Sequence, residues 1–274
     1  MNIPGITDNR MTVSLVEGIA DVRMNRPDKR NALDSAMFAS LANVGEFLKT
    51  LPGLRAVVLS GEGASFCAGL DFSSFQGMAQ GTFGADSDNN PGTRPEDRIT
   101  HLAQQVCWVW QEVSVPVIAA LQGHALGGGM QIALGADIRI AHPDTQLSVR
   151  EVYWGLVPDM TGTLTLSQLV RPDVAKELVF TARILDAREG KDLGLVTRLS
   201  DEPLQDAMAL AREIANRSPD AVRGAKQLLN RQAGAQAAQQ FAAERDEIHR
   251  LIGSDNQAEA VRAYFEKRAP VFKD

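Results

Sequence analysis

The sequence has little from which to build the common reactive or cross-linked sites. Its two cysteines, Cys67 and Cys107, are too few for a disulfide scaffold or a four-thiolate zinc site. The four histidines, His101, His124, His142 and His249, are scattered without metal-ligand spacing. Aromatic residues make up only 5% of the 274, so the core must be mostly aliphatic. No Lys/Arg run exceeds two and the formal net charge is −6, which argues against a nucleic-acid patch or a basic membrane anchor. No stretch approaches the roughly 20 apolar residues of a membrane span. Residues 1–10 lack the apolar core of a secretory signal. A soluble, cytoplasmic protein without metal ligands is expected, with neither nucleic acid nor membrane as a partner.

Familiar site motifs are also missing. Gly61-x-Gly63 follows a strand pattern, but Phe66 stands where a dinucleotide fingerprint needs its third glycine. There is no P-loop and no Gly-x-Ser-x-Gly elbow. What is present is 44% hydrophobic residues and 23 glycines, enough for one large domain with many tight turns.

Alternating residues at 12–16 and 19–24 around Glu17-Gly18 predict a hairpin. Asp34 is placed to cap a helix whose Met37, Leu41, Val44, Leu48 and Leu51 share one face. Strands are expected at 56–59, 116–121 and 137–141, with helices around 97–112 and from about 128. Alternation of this kind argues α/β with mostly parallel pairing. Beyond residue 200 only helices are expected, one opened by Ser218-Pro219-Asp220 and another by a Ser254-x-x-Gln257 capping box. The division is therefore a core over 1–200 and a helical region over 201–274, which covers the core or docks on another subunit. Residues 73–96 lack periodicity and are expected to form a loop, either a plain surface loop or a lid.

Two glycine loops could carry chemistry. One is Ser65-Phe-Cys-Ala-Gly-Leu-Asp71; the other is Gly123-His-Ala-Leu-Gly-Gly-Gly129, at a helix start. N–H groups at such a start can hold a developing negative charge. The same glycines could equally serve close helix–sheet packing.

Together with seven further strings, these loops resemble the crotonase (enoyl-CoA hydratase/isomerase) superfamily. The strings run in family order over residues 25–268, from Asn25-Arg-Pro-Asp-Lys-Arg-Asn-Ala-Leu33 and Arg55-Ala-Val-Val-Leu59 to Phe265-Glu-Lys-Arg268. Pro116-Val-Ile-Ala-Ala120, Ala136-Asp-Ile-Arg-Ile-Ala141, Gly155-Leu-Val-Pro158 and Gly194-Leu-Val196 lie between them. The resemblance implies a spiral of ββα units and a C-terminal helical region that assembles trimers or dimers of trimers. It also implies an acyl-CoA thioester substrate, with no separate cofactor because CoA is part of that substrate. The thioester oxygen would be held by the Ala68 and Gly128 N–H groups, each worth on the order of 10²–10³ in rate. Lys29, Arg30, Leu70, Asp71 and Lys267 would also bind the CoA ester, Lys267 from a neighbouring subunit.

Hydratases carry a Glu just after the glycine element and a second Glu 20 residues later. Here those positions hold Gln131 and Glu151. A carboxamide orients water but cannot exchange a proton near neutral pH. Asp159, eight residues past Glu151, makes a Glu/Asp pair resembling that of dienoyl-CoA isomerases. Phe180-Thr-Ala-Arg183 and Gly194-Leu-Val-x-Arg198 lean the same way, although those isomerases usually have Asp at position 131. Double-bond isomerisation is therefore expected, with Glu151 as base near C2 and Asp159 as distal partner. Alternatives are a hydratase in which Gln131 and Glu151 hold water, and a non-catalytic CoA- or partner-binding homologue. A further alternative, Asp159 as nucleophile on an aromatic acyl-CoA, belongs to dehalogenase relatives that lack a Glu at position 151. Cys67 is expected as a small buried thiol, His124 as a packing or surface residue, and Phe66, Trp108 and Trp110 as core.

Overall fold

Period-2 alternation closes the first hairpin as expected. Strands β1 (Met11–Val16) and β2 (Ile19–Met24) pair antiparallel, with Val16 opposite Ile19. The two-residue loop puts Glu17 at φ 53° and Gly18 at φ 79°, the turn whose twist matches the strands. The structure is a computed structural model and describes residues 3–79, 91–92 and 94–273.

Asp34 caps α1 (Ser35–Lys49) by accepting the Met37 N–H at 2.8 Å. The chain continues through β3 (Ala56–Gly61), α2 (Phe72–Ala79), α3 (Leu102–Glu112), β4 (Val117–Leu121), β5 (His124–Leu126) and α4 (Gly128–Gly135). Then come β6 (Ile138–Ala141), β7 (Gln146–Ser148), a short 3-10 turn (Glu151–Trp154), α5 (Gly162–Leu169) and α6 (Pro172–Thr181). β8 (Leu185–Asp186), α7 (Ala187–Leu193) and β9 (Arg198–Leu199) complete the core. One sheet has the order β1-β2-β3-β4-β6-β9, parallel from β2 onward. A second sheet, β5-β7-β8, stands apart from it. Successive turns of chain give one strand to each: β4 then β5, β6 then β7. After β3, Cys67 makes only a single bridge to Ala125.

Helices α1, α3 and α4 cover one face of the large sheet around the fully buried Leu41, Leu59, Trp110 and Leu121. The other face is apolar too, with Ile19, Val58, Ile118 and Ile140. Helix α8 (Pro203–Ala215) covers it with Ala207 and Ala211. Helix α9 (Pro219–Leu251) packs Ala233, Ala237 and Phe241 against Trp108 and Leu164. Helix α10 (Asp255–Phe265) turns back onto α2 and the 3-10 turn. The helical region thus covers its own core. Among the described residues no helix is long and apolar enough to cross a membrane.

Three local expectations change. Residues 72–79 are helical rather than loop, because Asp71 Oδ1 takes the Ser73 N–H and hydroxyl while Phe75 and Met78 are buried. Residues 80–90 and 93, half of the expected loop or lid, lie outside the described residues. Helix α3 starts at Leu102, later than the periodicity suggests, because His101 and Gln104 form a capping box there. Ser254 caps α10 as expected, but Gln257 Oε1 takes the Gly253 N–H rather than that of Ser254.

Candidate active site

A cavity of about 830 Å³ opens between the edge of the sheets and the returning α10. Its walls bring together Ala68, Leu70 and Asp71, then Gly127 and Gly128, and finally Glu151 and Asp159. The site residues expected from both glycine loops and both carboxyl positions therefore meet. Phe75, Met78, Trp154, Leu156 and Ile248 form an apolar side. Among the described residues no group of three or more His, Cys, Asp or Glu is placed to hold a metal ion.

Gly128 opens α4, so its N–H has no acceptor within the helix. A Cβ there would come within 2.8 Å of Leu33 and 2.9 Å of the Met160 sulfur. A larger residue would have to push aside the ends of the Leu33 and Met160 side chains, and glycine spares that shift. Ala68 departs from expectation: its N–H already donates to the Arg30 carbonyl at 3.0 Å. Arg30 and Asn31 both lie at positive φ, 50° and 56°, and this turns the carbonyl inward. The Asn31 amide fixes the turn by donating to the Glu62 and Ser65 carbonyls. A thioester oxygen gains the Ala68 N–H only by sharing with that carbonyl or displacing it.

Glu151 begins the 3-10 turn and is 8% exposed. Its Oε1 accepts the Gln131 amide at 2.6 Å, while Oε2 is buried and has no partner among the described residues. Burial is the main reason its pKa rises to about 7. Gln131 is fully buried and does not line the cavity. Its Oε1 accepts the Met160 and Gly162 N–H groups, both at 2.9 Å. It is a strut between Glu151 and the Asp159 loop.

Asp159 is also raised well above the ordinary carboxylate range, chiefly by burial and then by the charges of Glu244 and Glu151. Its loop is gripped from the far side by Glu244 of α9. That carboxylate accepts the Thr161 N–H at 3.0 Å, the Thr163 N–H at 3.2 Å and the Thr163 hydroxyl at 2.5 Å. Gln104 adds a further donor at 3.0 Å. Glu244, Gln104 and His101 carried no sequence signal for the site, since they sit up to 140 residues from their partners.

The remaining expected residues divide. Lys29 and Arg30 are exposed and line the cavity, joined by Arg150 but also by Asp28. Lys267 does not line it; Tyr264 of the same segment does. Asp71 lines it, yet its carboxylate is spent on Arg26 at 2.6 Å and on Ser73. His124 is half-buried, pairs with Ser65 at 2.9 Å and Arg30 at 3.3 Å, and reaches the cavity wall. Phe66, Trp108 and Trp110 are core. Burial pushes the Cys67 thiol up to about 12, which removes it as a nucleophile.

The sequence pattern of one family, Enoyl-CoA hydratase/isomerase, matches residues 15–274. The chain belongs to this family. It is 33% identical to a Mycobacterium leprae protein named "Probable enoyl-CoA hydratase echA8", over 94% of this chain and 96% of that one. It is also 33% identical to the short-chain-enoyl-CoA hydratase of Clostridium acetobutylicum, over 91% and 92% of the two chains. The crystal structure of an enoyl-CoA hydratase/isomerase from Pseudoalteromonas atlantica T6c superposes with a TM-score of 0.83 at 28% identity, covering 97% of this chain and all of that one (100%). The fold is thus that of the crotonase superfamily, and an acyl-CoA enzyme is the family's chemistry.

Proposed function

We propose that this family member moves double bonds in enoyl- or dienoyl-CoA thioesters. Glu151 removes a proton at C2, and the Gly128 N–H at the start of α4 holds the enolate oxygen. Asp159 delivers a proton at the far end of the conjugated system. The substrate neither gains nor loses atoms. Glu151 gains a proton, Asp159 loses one, and exchange with solvent restores both. The shifts suit these roles: Glu151, raised to about 7, is available as a base near neutral pH, and Asp159, raised by burial, holds its proton more tightly than an ordinary carboxyl group.

The carrying observation is the state of Gln131. Its oxygen is committed to two backbone N–H groups and it stays off the cavity wall, so it offers no acceptor to a water molecule. The names of the relatives favour a second reading, hydration across C2=C3 with Glu151 alone managing the water. A panel of 2-enoyl-, 3-enoyl- and 3,5-dienoyl-CoA esters separates the two. Isomerisation predicts rapid turnover of the 3-enoyl or 3,5-dienoyl ester and slow loss of crotonyl-CoA absorbance. Rapid loss of that absorbance would overturn it. Assembly as a trimer or dimer of trimers is part of the proposal, supported by Leu228 and Leu229, 69% and 81% exposed on α9. Sedimentation velocity tests it.

A further inference from the structure

His101 lies buried at the start of α3. Its Nδ1 accepts the Gln104 N–H at 3.0 Å, and Gln104 Oε1 accepts the N–H of His101 at 3.3 Å. A ring nitrogen that accepts leaves the ring proton on the other, so Nε2 is the donor. Burial holds the ring's pKa down to about 4, with Arg245 and His249 opposing a positive charge, so the ring is neutral at physiological pH. Nε2 stands 3.9 Å from Asp159 Oδ2, and both residues line the cavity. That gap is about 1 Å beyond a hydrogen bond, and active-site contacts of this kind tighten when substrate fills the site. The cap alone does not call for histidine, since Ser, Asn and Asp serve better. What histidine adds is a second donor aimed away from the helix.

We infer that His101 is a positioning residue for Asp159, its Nε2–H donating to Oδ2 so that the carboxyl proton rides on Oδ1 and faces the acyl chain. When that proton leaves for the terminal carbon, the remaining carboxylate keeps the His101 hydrogen bond. His101 cannot itself be the base, because Nδ1 is spent on Gln104 and Nε2 carries hydrogen. The charged groups bearing on the pair are Glu151 from the 3-10 turn, and Glu244, Arg245 and His249 from α9. The inference rests on Asp159 returning the proton, as proposed above.

A double-mutant cycle on the full chain tests it, read by single-turnover isomerisation of a 3,5-dienoyl-CoA ester. His101→Asn keeps an acceptor for the cap but places nothing at the Nε2 position. It should lower the rate constant roughly tenfold with KM changed less than about twofold. His101→Gln, whose longer amide reaches toward Asp159, should restore most of that loss. In an Asp159→Asn background the loss from His101→Asn should shrink below about twofold. An equal loss in both backgrounds, a change in KM alone, or no loss overturns the role of His101. If Asp159→Asn by itself leaves isomerisation unchanged, the parent proposal fails instead. Thermal unfolding checks the cap; should His101→Asn not fold, His101→Ser, also a capping acceptor without the distal donor, takes its place.

Discussion

The two carboxyl groups of the cavity are held in different ways. Glu151 sits on a wall made by nearby chain, next to the glycine loop and tied directly to Gln131 of α4. Asp159 sits on a wall assembled from three distant segments: α3, the turn before α5, and α9. Among the described residues no side chain bonds Asp159 within normal hydrogen-bond distance; its loop is gripped more firmly than its carboxyl group. Under the proposed isomerisation, a firmly held base opposite a less constrained acid suits a reaction in which the first proton is always taken beside the thioester. The second is delivered farther along an acyl chain.

Substitutions should separate the two walls. Glu151→Gln is expected to have the largest effect, a loss of roughly 10³-fold or more in turnover together with loss of C2 proton exchange into deuterated water. Asp159→Asn should lower isomerisation about 10²-fold while C2 exchange persists, measured by mass spectrometry of recovered ester. Loss of exchange in both variants would mean that the two carboxyl groups act as one unit.

The pH dependence follows from the same contrast. kcat/KM should rise through about pH 7 as Glu151 loses its proton, and the need for a protonated Asp159 should add an upper, falling limb that Asp159→Asn removes. Glu244→Gln removes a negative charge that raises Asp159, so the upper limb should move to lower pH. It also weakens the grip on Thr161 and Thr163, at about 1–3 kcal/mol of unfolding free energy by urea titration.

Stability carries the smallest signal. The folded pKa of Glu151, about 7, lies above its ordinary 4.5. Ionising it in the folded state is therefore unfavourable, and stability is lost as pH rises from about 4.5 to 7. Glu151→Gln should be more stable than the parent at pH 8, by on the order of 1–3 kcal/mol, with the gain vanishing near pH 4.

Much of the near wall was legible in the sequence. Period-2 alternation, the Asp34 cap and the glycines at 127–129 each act over a few residues, so pattern and spacing identify them. Gln131 was visible as a departure, but its buried strut role was not, because Met160 and Gly162 come to it only after folding. The engaged Ala68 N–H was equally hidden, since it depends on the inward turn of Arg30. His101 does not look like a common cap, and Glu244 reads as one more charge on a long helix.

By itself the sequence determined the α/β order, the family and the positions of the carboxyl groups, because those follow from local propensity and motif spacing. Only the tertiary structure decided what each polar group faces. Burial raised Glu151 and Asp159, Gln131 was drawn off the cavity wall, and Glu244 and His101 were brought to the Asp159 loop. Each of these depends on partners far apart in the chain, and desolvation exists only once the interior has closed around them.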